Sequence, residues 1–409
     1  MRTMQVLVAL AAATAAQAQI HLPTLPTLPT LPSVPQTIGQ AEPRTLDAVS
    51  NLRQQEIKRL IQSNRRLIEA DPGGEPMVRS ELLSIGMSDA ALARAQARGF
   101  VVDREREIAS ANIRLLVLKA PANMATKKAL RQLREADPTG LYDFNHIYIG
   151  SGTRPGNDSR TEPITDVSQP SRPHIRVGLL DSGIDASHPV FRDSEMHFWG
   201  CSHARIAHAH GTAVASLLVA HASAELYAAD VYCGLPTGGS VDIIVSALAW
   251  MAEERVAVIN VSLVGPKNAM LERVVGSLIE RGYVIVAAVG NDGPAAPPLY
   301  PAAYPEVVGV TAVDAHRRVL IEAERGPQVM FAALGADIKA ASVDHGYVFV
   351  RGTSYAAPTV AALLAAPLVA PDRRAASAAI DALAKQALHI GAAGKDLTYG
   401  FGLVGGETR

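Results

Sequence analysis

Two cysteines in 409 residues, Cys201 and Cys233, are too few for a disulfide-stapled scaffold or a four-thiolate zinc site, though enough for one bridge. Charge of one sign is not in excess either. Lys+Arg 38 stand against Asp+Glu 39, a net of −1, so bulk charge predicts neither nucleic-acid nor membrane-surface binding. No internal apolar stretch approaches the ~18 residues of a spanning helix: Val360 to Ala370 is short and broken by Pro367, so no membrane span is expected. Asp181-Ser182-Gly183 lacks a G-x-G-x-x-G turn, which weighs against a nucleotide-binding sheet. What is present is 48% hydrophobic and 19% charged residues, a mixture wrong for a wholly disordered chain and sufficient for large cores. Length alone predicts two or three domains.

Arg2, the apolar run Val6 to Ala13 and Ala16-Gln17-Ala18 stand in the order of a signal peptide over residues 1–18. Export, to the periplasm or the medium, would permit a Cys201–Cys233 disulfide. Residues 19–40 carry Leu22-Pro23-Thr24 repeated through Leu31-Pro32-Ser33, and proline at every third position predicts an extended linker. Residues 41–150 form an N-terminal region. It opens with an amphipathic helix carrying Leu46, Val49, Ile57, Leu60, Ile61, Leu67 and Ile68, ended by Asp71-Pro72-Gly73-Gly74, with Arg53, Lys58, Arg59 and Arg65 on a face read as solvated. Over 77–149 the pattern is strand (Val78 to Leu83), helix (Ala90 to Arg98), strand (Phe100 to Asp103), strand (Ile113 to Leu118), helix (Thr126 to Ala136), strand (Leu141 to Ile149). That βαββαβ order describes a small ferredoxin-like α+β sandwich, which by itself says nothing about function. Gly- and Pro-rich polar residues mark 151–173 as an exposed linker. From 174 to 409, apolar β-rich runs (Ile175 to Leu180, Leu226 to Val231, Val256 to Val261, Val284 to Val289, Val307 to Val310) alternate with helical stretches. This predicts an α/β domain with a largely parallel sheet and helices on both faces.

Three segments concentrate reactive side chains where a strand or loop meets a helix. Val177 to Leu180 delivers Asp181 at the carboxyl end of a strand, the edge where open α/β sheets keep their sites, although an aspartate capping a turn explains it equally well. His210 precedes a small-residue helix. With His203 and His208 it raises zinc, but no Glu follows at helical zinc-protease spacing and no fourth ligand is evident, so no metal is assigned. Ser354, in Gly352-Thr353-Ser354-Tyr355-Ala356-Ala357-Pro358, stands at the positive end of a helix. A hydroxyl is a poor nucleophile until a base takes its proton, and the base needs an acceptor to hold its tautomer; His210 and Asp181 are the available partners.

Taken together, Asp-Ser-Gly-Ile-Asp at 181–185, His-Gly-Thr at 210–212 and Gly-Thr-Ser-Tyr-Ala-Ala-Pro at 352–358 resemble the three catalytic blocks of the subtilisin-like serine proteases, in that family's Asp…His…Ser order. Val261-Ser262-Leu263 resembles the family's substrate-lining strand. Ala288 to Gly293 resembles the block carrying its oxyanion asparagine, and Tyr300 to Pro305 the segment that follows; the likeness spans roughly 175 to 405. The resemblance implies that Ser354 is the nucleophile, His210 the base and Asp181 its orienting carboxylate, with Asn291 and the Ser354 backbone N–H stabilising the oxyanion. Ser262, Leu263, Val264 and Gly290 would bind an extended polypeptide substrate. It also implies that the α+β unit is a pro-domain, an intramolecular inhibitor cut away within the linker. The charges allow attraction: Lys+Arg 17 against Asp+Glu 14 in residues 41–150 (+3), and 18 against 22 in 171–409 (−4).

Three positions depart from the family pattern. Val264 replaces a common glycine and predicts a reshaped first specificity pocket. The 221–224 connection is too short for a calcium loop, so no cofactor is expected and no calcium site is identified. Tyr355 replaces a methionine at a packing position. The resulting expectation is a secreted serine endopeptidase made as a zymogen. The alternatives are a silent or permanently inhibited binding protein of the same fold, or an esterase using the same three side chains.

Overall fold

The computed structural model describes residues 43–109, 112–150, 174–201, 206–220 and 223–406. The expected signal peptide, the Leu-Pro-Thr linker, the 151–173 linker, His203 and the first half of the 221–224 connection lie outside them. In the N-terminal region the elements are α1 (Pro43–Ser63), β1 (Ile68–Ala70), β2 (Pro76–Ile85), α2 (Asp89–Ala97), β3 (Val101–Ile108), β4 (Ile113–Lys119), α3 (Thr126–Ala136) and β5 (Leu141–Gly150). The first helix stops earlier than its apolar period predicts. Asn64 donates its side-chain amide to the Leu60 carbonyl (2.9 Å), turning the chain so that Ile68 enters β1 and pairs with Val78 of β2. The strands run in the order β5-β2-β4-β3, all neighbours antiparallel, which is the ferredoxin-like arrangement.

Alternation along these strands explains why they read as nearly continuous apolar runs. Leu82, Leu116 and Leu118 pack against Leu130 and Leu133 of α3 and Ala91 and Ala95 of α2. Their neighbours Leu83, Leu115 and Val117 point the other way, into a core shared with the second half of the chain. An antiparallel sheet normally leaves one face wet; this one buries both.

The second half adds β6 (His174–Asp181), β7 (Glu195–Trp199), α4 (Ala209–Leu218), β8 (Ser223–Asp230), β9 (Gly239–Ser240), α5 (Val241–Glu253), β10 (Val258–Val261), β11 (Leu263–Val264), α6 (Ala269–Glu280), β12 (Val284–Ala288), β13 (Val308–Val313), β14 (Val329–Leu334), β15 (Ala336–Ala341), β16 (Tyr347–Arg351), α7 (Thr353–Ala365) and α8 (Arg373–Gln386). Seven of these strands form one parallel sheet ordered β14-β13-β12-β10-β6-β8-β7. After β6 the chain sets β7 at the edge and β8 between the two, then returns to add β10 on the other side of β6, so the strand order reverses between β6 and β10. Such a switch point opens a crevice at the carboxyl ends of the strands. Asp181 ends β6 there, and α7, buried on nearly every side, brings its N-terminus to the same edge.

Candidate active site

Asp181 has no exposed surface, and a buried carboxylate needs donors around it. Its Oδ1 accepts from the Ser182 N–H (2.7 Å) and the Ser182 hydroxyl (3.0 Å). His210 Nδ1 lies 2.8 Å from Asp181 Oδ1 and 3.1 Å from Oδ2. A carboxylate can only accept, so Nδ1 carries the proton and Nε2 is left with its lone pair. Nε2 is buried and makes no hydrogen bond. His208, the residue before α4, caps that helix through Nδ1 to the His210 N–H (3.3 Å) and meets the Ser182 hydroxyl at 3.0 Å. Gly211 donates to the same hydroxyl (3.0 Å), and a Cβ at Gly211 would collide with the Ser182 carbonyl. Only glycine lets the two loops close this tightly.

Ser354 is the second residue of α7. Its hydroxyl donates to the Ser262 carbonyl (3.0 Å), while the Ser262 hydroxyl donates to the Ser354 carbonyl (3.0 Å) and accepts from Asn260 Nδ2 (2.9 Å). The structure therefore joins Asp181 to His210 and Ser354 to Ser262, with no hydrogen bond between His210 Nε2 and Ser354. Asn291 Oδ1 accepts from the Thr353 N–H (3.1 Å), and the Gly290 N–H donates to the Thr353 hydroxyl (3.2 Å). Val264, 2% exposed, and Tyr355, also 2% exposed, are both packed in.

The groove beside these residues is filled by the chain itself. β5 runs antiparallel to β11 with Gly150 opposite Leu263 and Ile149 opposite Val264, and antiparallel to β9 with Ile147 opposite Ser240 and Tyr148 opposite Gly239. Tyr148 is fully buried and donates to the Pro266 carbonyl (2.5 Å). A Cβ built on Gly150 would stand 3.0 Å from His210 Nε2. The Gly150 N–H donates to the hydroxyl of half-buried Tyr232 (2.7 Å), a contact that no local motif announces. The same strand caps two helices of the second half. Asn145 Oδ1 accepts from the Asp242 N–H (3.2 Å) in the first turn of α5, and Asp143 Oδ2 accepts from the Ala269 N–H (2.8 Å) that opens α6. Asn145 Nδ2 also donates to Asp242 Oδ1 and to Glu81 Oε2, 2.8 Å each, and Arg104 closes the network on Glu81 and Asp242.

A second acidic group lies one residue beyond Asn291. Asp292 pairs with Arg53 of α1 (3.4 Å), which forks onto Glu75 (3.0 and 2.8 Å). The expected solvated face of α1 thus contributes a nearly buried guanidinium, its side chain only 11% exposed. Glu324 is fully buried, with Oε2 accepting from the Leu299 N–H (3.2 Å) and Oε1 making no hydrogen bond. Burial, reinforced by the charge of Asp292, pushes Glu324 up to about 9. Burial lifts Asp292 to about 6, against the pull of Arg53.

Cys201 and Cys233 are joined in a disulfide, Cα to Cα 5.0 Å. Among the described residues, the converging group of metal-type donors is Cys201, Asp230 and Cys233, whose thiols are spent in that bridge. One carboxylate does not fit calcium, which takes six to eight oxygen ligands.

A model of the subtilase family matches residues 173–402. Subtilisin DY of Bacillus licheniformis is 30% identical over 250 residues, covering 57% of this chain and 90% of its own. The minor extracellular protease Epr of Bacillus subtilis (strain 168) is 26% identical over 340 residues, 74% of this chain and 51% of its own, so the chain spans about half of that relative's length. Among solved structures, fervidolysin from Fervidobacterium pennivorans, a keratinolytic enzyme related to subtilisin, shares the fold with a TM-score of 0.65 at 18% identity. That alignment covers 82% of this chain and 61% of the other. With the parallel sheet and its switch point, these matches identify the chain as a serine-type peptidase of the subtilase family.

Proposed function

We propose that the protein is an exported serine endopeptidase made as a zymogen, with Ser354, His210, Asp181 and Asn291 as its catalytic residues. One observation carries the reading: β5 lies in the groove as an extended antiparallel strand on Leu263–Val264 and ends with Gly150 against His210. That is how a substrate strand would be held, by main-chain pairing to an exposed sheet edge. A substrate continuing this register sets its next residue opposite Ser262, whose carbonyl now holds the Ser354 hydroxyl.

For turnover, Ser354 Oγ rotates from the Ser262 carbonyl onto His210 Nε2, whose lone pair awaits a proton. Oγ bonds to the substrate carbonyl carbon as its proton passes to Nε2. Asp181 stabilises the resulting imidazolium, and the proton then goes to the leaving amine as the C–N bond breaks. Water repeats the sequence on the acyl-enzyme. Asn291 Nδ2 and the Ser354 N–H stabilise the oxyanion, donors fixed in advance by the Thr353–Asn291 bond and by α7.

The same strand makes the N-terminal unit an inhibitor until it is cut away, and the cut falls in the bonds immediately after Gly150, at the start of the 151–173 linker. Export rests on the signal peptide read in residues 1–18. Among the described residues, no helix is long and apolar enough to cross a membrane.

Expression of the full chain tests the reading. Wild type should separate into two fragments, the active one beginning just after residue 150, while Ser354→Ala stays a single chain from Gln19. Active protein whose N-terminus is Gln19 refutes the zymogen. The open His210–Ser354 geometry favours one alternative, a permanent lid, which predicts that full-length and trimmed forms both resist a fluorophosphonate. Ester hydrolysis without casein cleavage would mark an esterase.

A further inference from the structure

The catalytic chemistry above makes no use of Tyr232, yet its hydroxyl accepts the Gly150 N–H at 2.7 Å. On one side of β5, Ile149 and Gly150 lie opposite Val264 and Leu263 of β11. On the other, the pairing with β9 reaches only Tyr148, two residues before Gly150. Beyond the end of β9 the oxygen that takes the strand's N–H is therefore a phenol, not a main-chain carbonyl.

That phenol is anchored to the catalytic half of the chain. The Val231 N–H donates to the Asp181 carbonyl (2.9 Å), and Asp230 Oδ1 accepts from the Tyr232 and Cys233 N–H groups (2.9 Å each). Cys233 is in turn bridged to Cys201. The Tyr232 ring lies 5.7 Å, centroid to centroid, from that of His208, the residue that caps the helix carrying His210. Burial of the phenol, reinforced by the charge of Asp181, holds its pKa well above the usual range, so the oxygen stays a neutral hydroxyl. The space beside it is narrow. A Cβ at Gly150 would meet His210 Nε2 at 3.0 Å and Cδ2 and Cε1 at 3.1 Å each. Gly150 is a strand residue without a positive φ, so room, not conformation, calls for glycine here.

Building on the protease reading, we propose that Tyr232 is a specificity-determining residue whose hydroxyl accepts the backbone N–H of the substrate residue beside His210, selecting polypeptides with glycine at that place and rejecting proline. Proline fails twice, because it has no N–H to donate and its ring would fill the space against the imidazole. Alanine keeps the N–H, but its methyl presses on the ring whose Nε2 must take the Ser354 proton. A site built to bond a polar group discriminates against an analogue lacking it, because the site's own group is then left unpaired. The chain's own Tyr148-Ile149-Gly150-Ser151-Gly152 meets both demands at Gly150.

The test uses the matured enzyme and peptides copying residues 145–156, with glycine, alanine, sarcosine or proline at position 150. Sarcosine deletes the N–H without adding a Cβ. For wild type, kcat/KM should fall about 10-fold from glycine to sarcosine, the scale of one lost hydrogen bond whose partner is left unsatisfied, and further for proline, with alanine between glycine and proline. Tyr232→Phe should lose about 10-fold on the glycine peptide, yet cleave the glycine and sarcosine peptides within about twofold of each other. A tyrosine that only supports its loop would leave the glycine-to-sarcosine ratio at the wild-type value, and that result overturns the assignment. Because Tyr232→Phe could fold poorly, the wild-type order of the peptides is a second, separate check. Casein cleavage by an enzyme that leaves the glycine peptide uncut, or for which alanine, sarcosine or proline serves as well as glycine, overturns the assignment and leaves the protease standing. Casein and every peptide left intact, with no fluorophosphonate labelling, overturns both.

Discussion

Glu324 is the group whose titration should be easiest to read in stability. In the folded chain its carboxyl holds its proton up to about pH 9, against an ordinary value of 4.5. Between those limits the folded state binds a proton that the unfolded state has released, so stability falls as pH rises. The slope is about 1.4 kcal/mol per pH unit. At about pH 7.5, three units above 4.5, wild type therefore carries a cost of about 4 kcal/mol that Glu324→Gln does not. Glutamine keeps an acceptor for the Leu299 N–H. The measurement is urea unfolding of both chains in a Ser354→Ala background, to prevent self-digestion, at several values from pH ~4.5 to ~9. The other carboxyls titrate in both chains, so the difference isolates this one. It should be near zero at the acid end, favour the glutamine chain by about 4 kcal/mol near pH 7.5, and level off above pH ~9. A difference that does not change with pH would refute the assignment of a buried, protonated Glu324.

Two other substitutions separate the lid from the chemistry. Arg53→Ala removes the cation beside Asp292 and Glu75. Because Glu75 is about a quarter exposed, the loss falls below the 3–5 kcal/mol of a fully buried pair, at about 2 kcal/mol. The precursor should therefore begin to cleave casein sooner than wild type, and an unchanged lag would contradict a role for α1 in holding the lid. Asn291→Ala should lower turnover by on the order of 10²–10³ with little change in KM, read by steady-state kinetics on one peptide; that magnitude was measured on a subtilisin's own oxyanion asparagine and is not independent of the family.

The candidate site was legible because its parts are local. Asp181 ends β6, and His210 and Ser354 are each the second residue of a helix, all three in short blocks; the α3 bounds were readable from the apolar spacing of Ala129, Leu130 and Leu133. What escaped depends on contacts made across the chain. β9 and β11 are two residues each and exist because β5 lies beside them. Ile68 continues the helical period in sequence but is claimed by β2. Arg53 looks like one of several surface arginines until Glu75 and Asp292 close on it. Tyr232 and Glu324 carry no motif at all. The double burial of the N-terminal sheet was present as the Leu-Leu and Leu-Leu-Val-Leu runs of β2 and β4, a pattern that one-sided antiparallel sheets do not show.

The central claim is that Ser354 becomes a nucleophile when His210, held by Asp181, takes its proton. Fluorophosphonate treatment of the matured enzyme, followed by mass spectrometry of its peptides, tests it most directly. A single adduct on Ser354, formed in step with loss of casein cleavage and absent from His210→Ala, is the predicted result. Casein cleavage that survives complete labelling, or an adduct on any other residue that abolishes it, would contradict the account.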